Sequence, residues 1–199
     1  MRFPTRGFTL VEIMVVVTIL AIVSAIAIPM MSTDSLRVPS AARMVMSDLL
    51  FAQNSAVTTQ KTMFVCFSND KQAYTITYFT GTPPGTAPTF AAVKDGALAD
   101  WKLLNQPTTQ SRYMVQFGIT GPDSPGPISR TKIKSIKIDD VEVALDTFKG
   151  FGFDSLGAPV DASGVAINKS IAITITNLAD TVPEATLTIS PITGEISVK

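Results

Sequence analysis

Residues 1–31 read MRFPTRGFTLVEIMVVVTILAIVSAIAIPMM: a basic head, Met1 to Gly7 with Arg2 and Arg6, runs straight into the apolar segment Phe8 to Met31, interrupted by one acid, Glu12. At ~1.5 Å per residue, a helix over this segment reaches roughly 36 Å and spans a hydrocarbon core of ~30 Å. An ordinary secretory signal has a shorter apolar region, with its small-residue cut site after that region. Here the small residue at a boundary, Gly7, comes before it. A cut between Gly7 and Phe8 removes the basic head and keeps the anchor. Glu12 then lies one helical turn inside the new N-terminus, where an ionisable group facing lipid costs about 2.5 kcal/mol or more. The positive-inside rule keeps Arg2 and Arg6 with the cytoplasm and sends the rest of the chain across.

Composition narrows the chemistry of the remainder. About 170 residues past the anchor make one domain able to bury a core without staples. The formal net charge of the 199-residue chain is zero, so no global field points to nucleic acid or an acidic substrate. There is no histidine. That excludes Ser-His-Asp and Cys-His nucleophile systems and every histidine-ligated metal. Cys66 is the one cysteine, set among Phe64, Val65 and Phe67, and reads as an inert buried thiol that forms no disulfide within the chain. Asp139, Asp140, Glu142 and Asp146 gather acids without a cation-binding loop spacing. Gly150-Phe151-Gly152 lacks the glycine spacing and following helix of a phosphate loop. No catalytic function, cofactor or metal is expected.

Beyond Pro29 and Pro39, each able to bend a helix by removing a donor, the pattern becomes amphipathic. Val38, Ala42, Val45, Leu49, Ala52 and Ala56 recur every three or four residues, with Arg43, Ser47, Asp48 and Asn54 placed mostly off that stripe. From Thr62 the period is two. Met63 to Phe67 and Tyr74 to Phe79 flank the turn-like Ser68-Asn69-Asp70-Lys71, and Val141, Val143 and Leu145 alternate with polar or small residues. So do Ile171, Ile173 and Ile175, then Leu187 and Ile189, then Ile196 and Val198. Half-buried strands with one wet face are expected. Thr80 to Pro88 and Thr120 to Pro127 are too rich in glycine and proline for regular structure.

The run Gly7-Phe8-Thr9-Leu10-Val11-Glu12 resembles the processing site of type IV pilins and type II secretion pseudopilins. The resemblance implies a prepilin peptidase that cuts after Gly7 and methylates Phe8, with Glu12 used in filament assembly. Phe151-Gly152-Phe153-Asp154-Ser155-Leu156-Gly157-Ala158-Pro159, with Ala42-Arg43 to Ala56, is similar to the GspH/FimT group of minor pilins and pseudopilins. The implied fold is α+β and pilin-like, a long N-terminal helix, transmembrane then amphipathic, on an antiparallel β-sheet. Its parts are a leader at 1–7, the transmembrane and assembly helix at 8–31, the amphipathic half at 32–61 and a β domain at 62–199. The implied function is that of a minor pilin or pseudopilin in the bacterial inner membrane, its C-terminal domain periplasmic, later built into a pilus or pseudopilus. Its partners are other pilins, the peptidase and the inner-membrane assembly platform.

Arg130, Lys132 and Lys134 alternate along one expected strand and so share a face. Two readings stand: an anion-binding strip for DNA phosphates, as in a pilus receptor for DNA uptake, or charged protection of a sheet edge. The parity shift between Ile133 and Ile136 marks a bulge. No aromatic residue interleaves the run as a stacking platform. From the inverted order of cut site and anchor, the mature chain is expected to begin at methylated Phe8, and Gly7→Leu to block the cut. Intact mass checks this; a membrane-bound form beginning at Met1 in a host with the peptidase refutes it.

Overall fold

A run of isoleucine, valine and leucine without a polar period closes its backbone bonds internally as a helix, and in the computed structural model this is α1 (Leu10–Met30). The structure describes residues 9–30, 34–68, 70, 72–80, 90–96, 100–107, 113–118, 128–143, 150–161, 163–179 and 183–199. Gly7, Phe8, the basic head, most of the two glycine- and proline-rich stretches, and Leu145 with Asp146 lie outside the described residues. The chain divides into two units, Met1–Ser35 and Leu36–Lys199.

In the first unit the side chains of α1 are described as far as Val23, and from Leu10 to Val23 all are exposed. Thr18 returns its hydroxyl to the Met14 carbonyl at 2.8 Å, so that polar group is met within the helix. Among the described residues no helix is long and apolar enough to cross a membrane.

In the second unit, α2 (Asp34–Thr59) buries Val38, Ala41, Ala42, Val45, Leu49, Ala52 and Ala56, the stripe that the spacing of three and four predicts. Gln60, at φ 55, ends it by turning left-handed, and Lys61 N–H closes back on the Ala56 carbonyl at 3.3 Å. The remaining elements are β1 (Met63–Phe67), β2 (Ala73–Phe79), α3 (Phe90–Lys94), β3 (Trp101–Leu103), β4 (Met114–Gln116), β5 (Thr131–Ile138), β6 (Val141–Glu142), β7 (Gly150–Phe153), β8 (Pro159–Val160), β9 (Ile171–Asn177), β10 (Glu184–Ile189) and β11 (Ile196–Val198). They form two antiparallel sheets rather than one. The six-stranded sheet runs β3-β2-β1-β7-β8 with β4 also on β2, and the five-stranded sheet runs β11-β10-β9-β5-β6.

One core joins both sheets to α2. Met63, Val65, Phe67, Ile76, Phe151 and Phe153 enter it from the first sheet, and Ile133, Ile136, Ile171, Ile173, Ile175, Leu187 and Ile189 from the second. The second sheet keeps the expected alternation. The first does not: β1 and the start of β2 are buried on both faces, because Phe64 and Cys66 point away from α2 into a second cluster with Trp101. Trp101 meets Phe64 and Phe79 edge-on at 5.0 and 5.1 Å. Val141 also departs from expectation. It is exposed on a two-residue β6, after Asp139 and Asp140 (φ 56 and 63) make the tight two-residue hairpin turn that needs positive φ.

Gly150 and Gly152 stand opposite Cys66 and Phe64. A Cβ on Gly152 would lie 2.8 Å from the Met63 carbonyl oxygen and 2.9 Å from the Phe64 ring. Glycine alternating with Phe151 and Phe153 thus fills the core on one face and lets an aromatic ring lie against bare backbone on the other. Gly152→Ala should therefore lower stability by about 1–3 kcal/mol through overpacking. Thermal unfolding measures this; an unchanged midpoint contradicts the close contact.

Candidate functional site

Helix α1 begins on a side-chain cap. Thr9 accepts the Glu12 N–H on its Oγ1 at 3.2 Å and the Ile13 N–H on its carbonyl at 3.2 Å. Thr9 and Glu12 have the spacing of a reciprocal capping box, yet the described structure shows one half of it: the backbone of Glu12 is bound and its carboxylate is not. The helix N-terminus favours a negative charge there. Among the described residues, that carboxylate has no partner, and it stands exposed beside Leu10, Val11 and Ile13. Gly7 and Phe8, immediately upstream, lie outside the described residues.

A second acid has the opposite fate. Asp48 was expected off the apolar stripe of α2, but it is buried. Tyr74 on β2 donates its hydroxyl to Oδ2, and Tyr113, just ahead of β4, donates to Oδ1 at 2.6 Å. Phe51 stacks on the Tyr113 ring at 5.6 Å. One carboxylate so pins α2 to the first sheet at two points. The reading off the stripe missed it, although a signal exists: Asp48 follows Val45 by three, and buried tyrosines need a partner for their hydroxyls.

Gln53 is a further anchor that periodicity does not reveal. Its amide donates to the carbonyls of Gly157, at 2.8 Å, and Gly194, at 3.1 Å. It ties the loop after β7 to the β10–β11 turn.

The structure does not assemble Arg130, Lys132 and Lys134 into one open strip. Arg130 precedes β5, Lys132 is half-buried, and Lys134 sits at the expected bulge, where the register with β9 shifts between Ile133 and Ser135. Lys134 is ion-paired with Glu184 of β10. Among the described residues, beyond β9, β5 has a second neighbour only at its far end, where Lys137 and Ile138 pair with β6. A bulge and lysines on the rest of that edge fit protection against stray strand pairing. Cys66 is fully buried with its thiol pushed up to about 12 by burial, so it is not a nucleophile at neutral pH. Asp139 pairs with Lys169 at 2.9 Å. Among the described residues no group of acids and cysteine could hold a metal ion.

Residues 2–28 match the family model of the prokaryotic N-terminal methylation motif. No curated protein matches the chain. Among solved structures, it is similar to the minor pseudopilin EpsH of the type II secretion system of Vibrio cholerae, at 12% identity and a TM-score of 0.51, over 82% of this chain and 94% of that one. It is also similar to the type IV minor pilin FimU of Pseudomonas aeruginosa, at 13% identity and a TM-score of 0.48, over 84% and 91%. The likeness to EpsH is one of fold: an N-terminal helix followed by antiparallel sheets. Neither likeness supports the nucleic-acid reading of the basic strand.

Burial is the larger influence on Asp48 and raises its carboxyl above the ordinary 3.8, while the two hydroxyls pull it down. The folded chain then holds the proton more tightly than the unfolded chain does. Ionising Asp48 costs nothing below the ordinary value, and the cost grows as pH rises through the raised value. Asp48→Asn, which can still bond both hydroxyls, should gain on the wild type in unfolding midpoint as pH rises from below the ordinary 3.8 through the raised value, the gain levelling off above it. A midpoint difference that stays flat or shrinks from below 3.8 up to neutral pH contradicts this.

Proposed function

We propose that the chain is a minor pilin or minor pseudopilin, a structural subunit of a type IV pilus or type II secretion pseudopilus. One observation carries the reading: a carboxylate without a partner in the described chain, one turn into an exposed apolar helix, inside a matched methylation motif. A carboxylate in an apolar setting needs a cation or hydrogen-bond donors. The amine of a neighbouring subunit's N-terminus supplies one when helices pack with an axial stagger.

On this reading residues 1–7 are a leader removed by a prepilin peptidase, Gly7 is the residue before the cut, and Phe8 is the N-methylated terminus. Residues 8–31 anchor the chain once in the bacterial inner membrane and later form the filament core. Residues 32–61 continue as the amphipathic half-helix, and 62–199 form the periplasmic β domain. Its partners are other pilins or pseudopilins, the peptidase and the inner-membrane assembly platform. The role is structural, not catalytic.

Glu12→Leu separates anchoring from assembly. Removing a costly polar group leaves membrane insertion as good or better, and the cut after Gly7 is untouched. Incorporation should fall about tenfold or more, the scale of a lost charge-assisted bond. The readout is the fraction of chain in sheared filaments relative to the membrane pool. Wild-type incorporation of the variant refutes the role of Glu12.

A further inference from the structure

Three exposed aliphatic residues lie on the segments that meet at the Gln53 amide. The loop after β7 and the β10–β11 turn meet there in backbone contact: a Cβ on Gly194 would lie 2.2 Å from the Gly157 carbonyl oxygen. The loop presents Leu156, 86% exposed, and the turn presents Ile192, 71% exposed. Val57, one helical turn past Gln53, is exposed too, with a methyl 3.5 Å from where a Gly157 side chain would start. Thr58, Ser155, Pro191 and Thr193 beside them are uncharged. Asp154 turns its Oδ1 inward to the N–H groups of Leu156 and Ala158. Glu195 is the exposed acid at the margin.

The backbone at Ile192 is strained. Its φ is 69, and Thr193 N–H donates to the Pro191 carbonyl at 2.7 Å, a three-residue turn about a β-branched residue in the left-handed region. Glycine or asparagine fits such a place without that cost. The chain instead holds isoleucine there and leaves the side chain in water, so no burial in the described structure offsets the strain. Strain persists where the surroundings over-determine it, and it gathers at sites of use.

We propose that Leu156, Ile192 and Val57 form a docking platform, preset by Gln53, for an uncharged aliphatic surface of an adjacent pilin-like chain in the same filament. The proposal rests on the filament reading above. Three side chains cover a few hundred Å² at most, against about 800 Å² per partner in a stable complex. The platform is therefore too small to hold a free partner or to pair two copies in solution. It acts on a neighbour already tethered beside it, as subunits joined through helix packing are. Contacts along a helical filament are head-to-tail, so the platform meets a different surface and not its own copy.

The test places a photo-crosslinking residue at position 156 of the full chain in a host that builds the filament, and identifies the products in sheared filaments by mass. The expected product joins position 156 to another pilin-like subunit. Ile192→Gly and Ile192→Asn, which relieve the turn, should cut its yield at least several-fold while the unfolding midpoint of the full chain in detergent stays level or rises. A yield unchanged by both variants, a product joining two copies through position 156, or a product with lipid alone overturns the platform. If the wild-type chain is present in filaments and position 156 crosslinks to nothing, the platform falls and the filament reading stands. If the wild-type chain is absent from filaments, the filament reading itself is wrong and the platform falls with it.

Discussion

A carboxylate taken out of water must be met by donors or take up a proton, and this constraint divides the chain between what it completes alone and what it leaves open. Asp48 is completed. It draws hydroxyls from β2 and from the segment ahead of β4 onto one helix, and so fixes where the first sheet lies along α2. A leucine there would fill the space without specifying it, since apolar contacts tolerate sliding and a two-donor carboxylate does not. Glu12 is left open. Its backbone is capped by Thr9, while its side chain has no counterpart among the described residues.

Small residues let the rest of the fold close around α2. Ala41, Ala42, Ala52 and Ala56 are fully buried on its core stripe, so the sheets come near the helix axis. Gly150 and Gly152 do the same on the far side of the first sheet, where Cys66 and Phe64 take the room that side chains would need. The Gln53 amide reaches the carbonyls of Gly157 and Gly194 because both glycines sit at positive φ, 83 and 65. Close approach exposes carbonyls that need donors, and the Gln53 amide supplies them.

The features readable from sequence are those that periodicity encodes. The α2 stripe, the strands β9 and β10 and the bulge in β5 follow from spacings of three, four and two and from one break in parity. The double burial of β1 was not readable, because Phe64, Cys66 and Trp101 are brought together across a long separation. Asp48 and Gln53 escaped for the same reason: polarity in a helix predicts solvent unless the distant tyrosines and glycine carbonyls are known. The basic strand misled in the opposite sense. Alternation does set Arg130, Lys132 and Lys134 opposite the buried Thr131, Ile133 and Ser135, but Lys132 is half-buried and Lys134 is paired with Glu184, so the three make no open strip. Of the proposed assembly site, local pattern shows the helix start and the lone acid. A neighbour's contribution cannot be written in one chain.

On the proposed reading the two units divide specificity between them. Side chains along α1 from Leu10 to Val23 are apolar apart from Glu12 and Thr18, and packing such a surface against another like it gains contact area without choosing a partner. On the reading proposed here one carboxylate chooses a register, because it would be satisfied at one axial stagger and unsatisfied at others. It cannot choose among partners that all carry the same terminal amine. On the reading proposed here, discrimination between neighbouring subunits falls to the surface of Leu36–Lys199, whose core is complete without them. An exposed isoleucine held at a φ of 69 is the kind of feature that a self-sufficient fold has no reason to keep. Register and identity are then set by different residues in different units, so a change in one can leave the other intact.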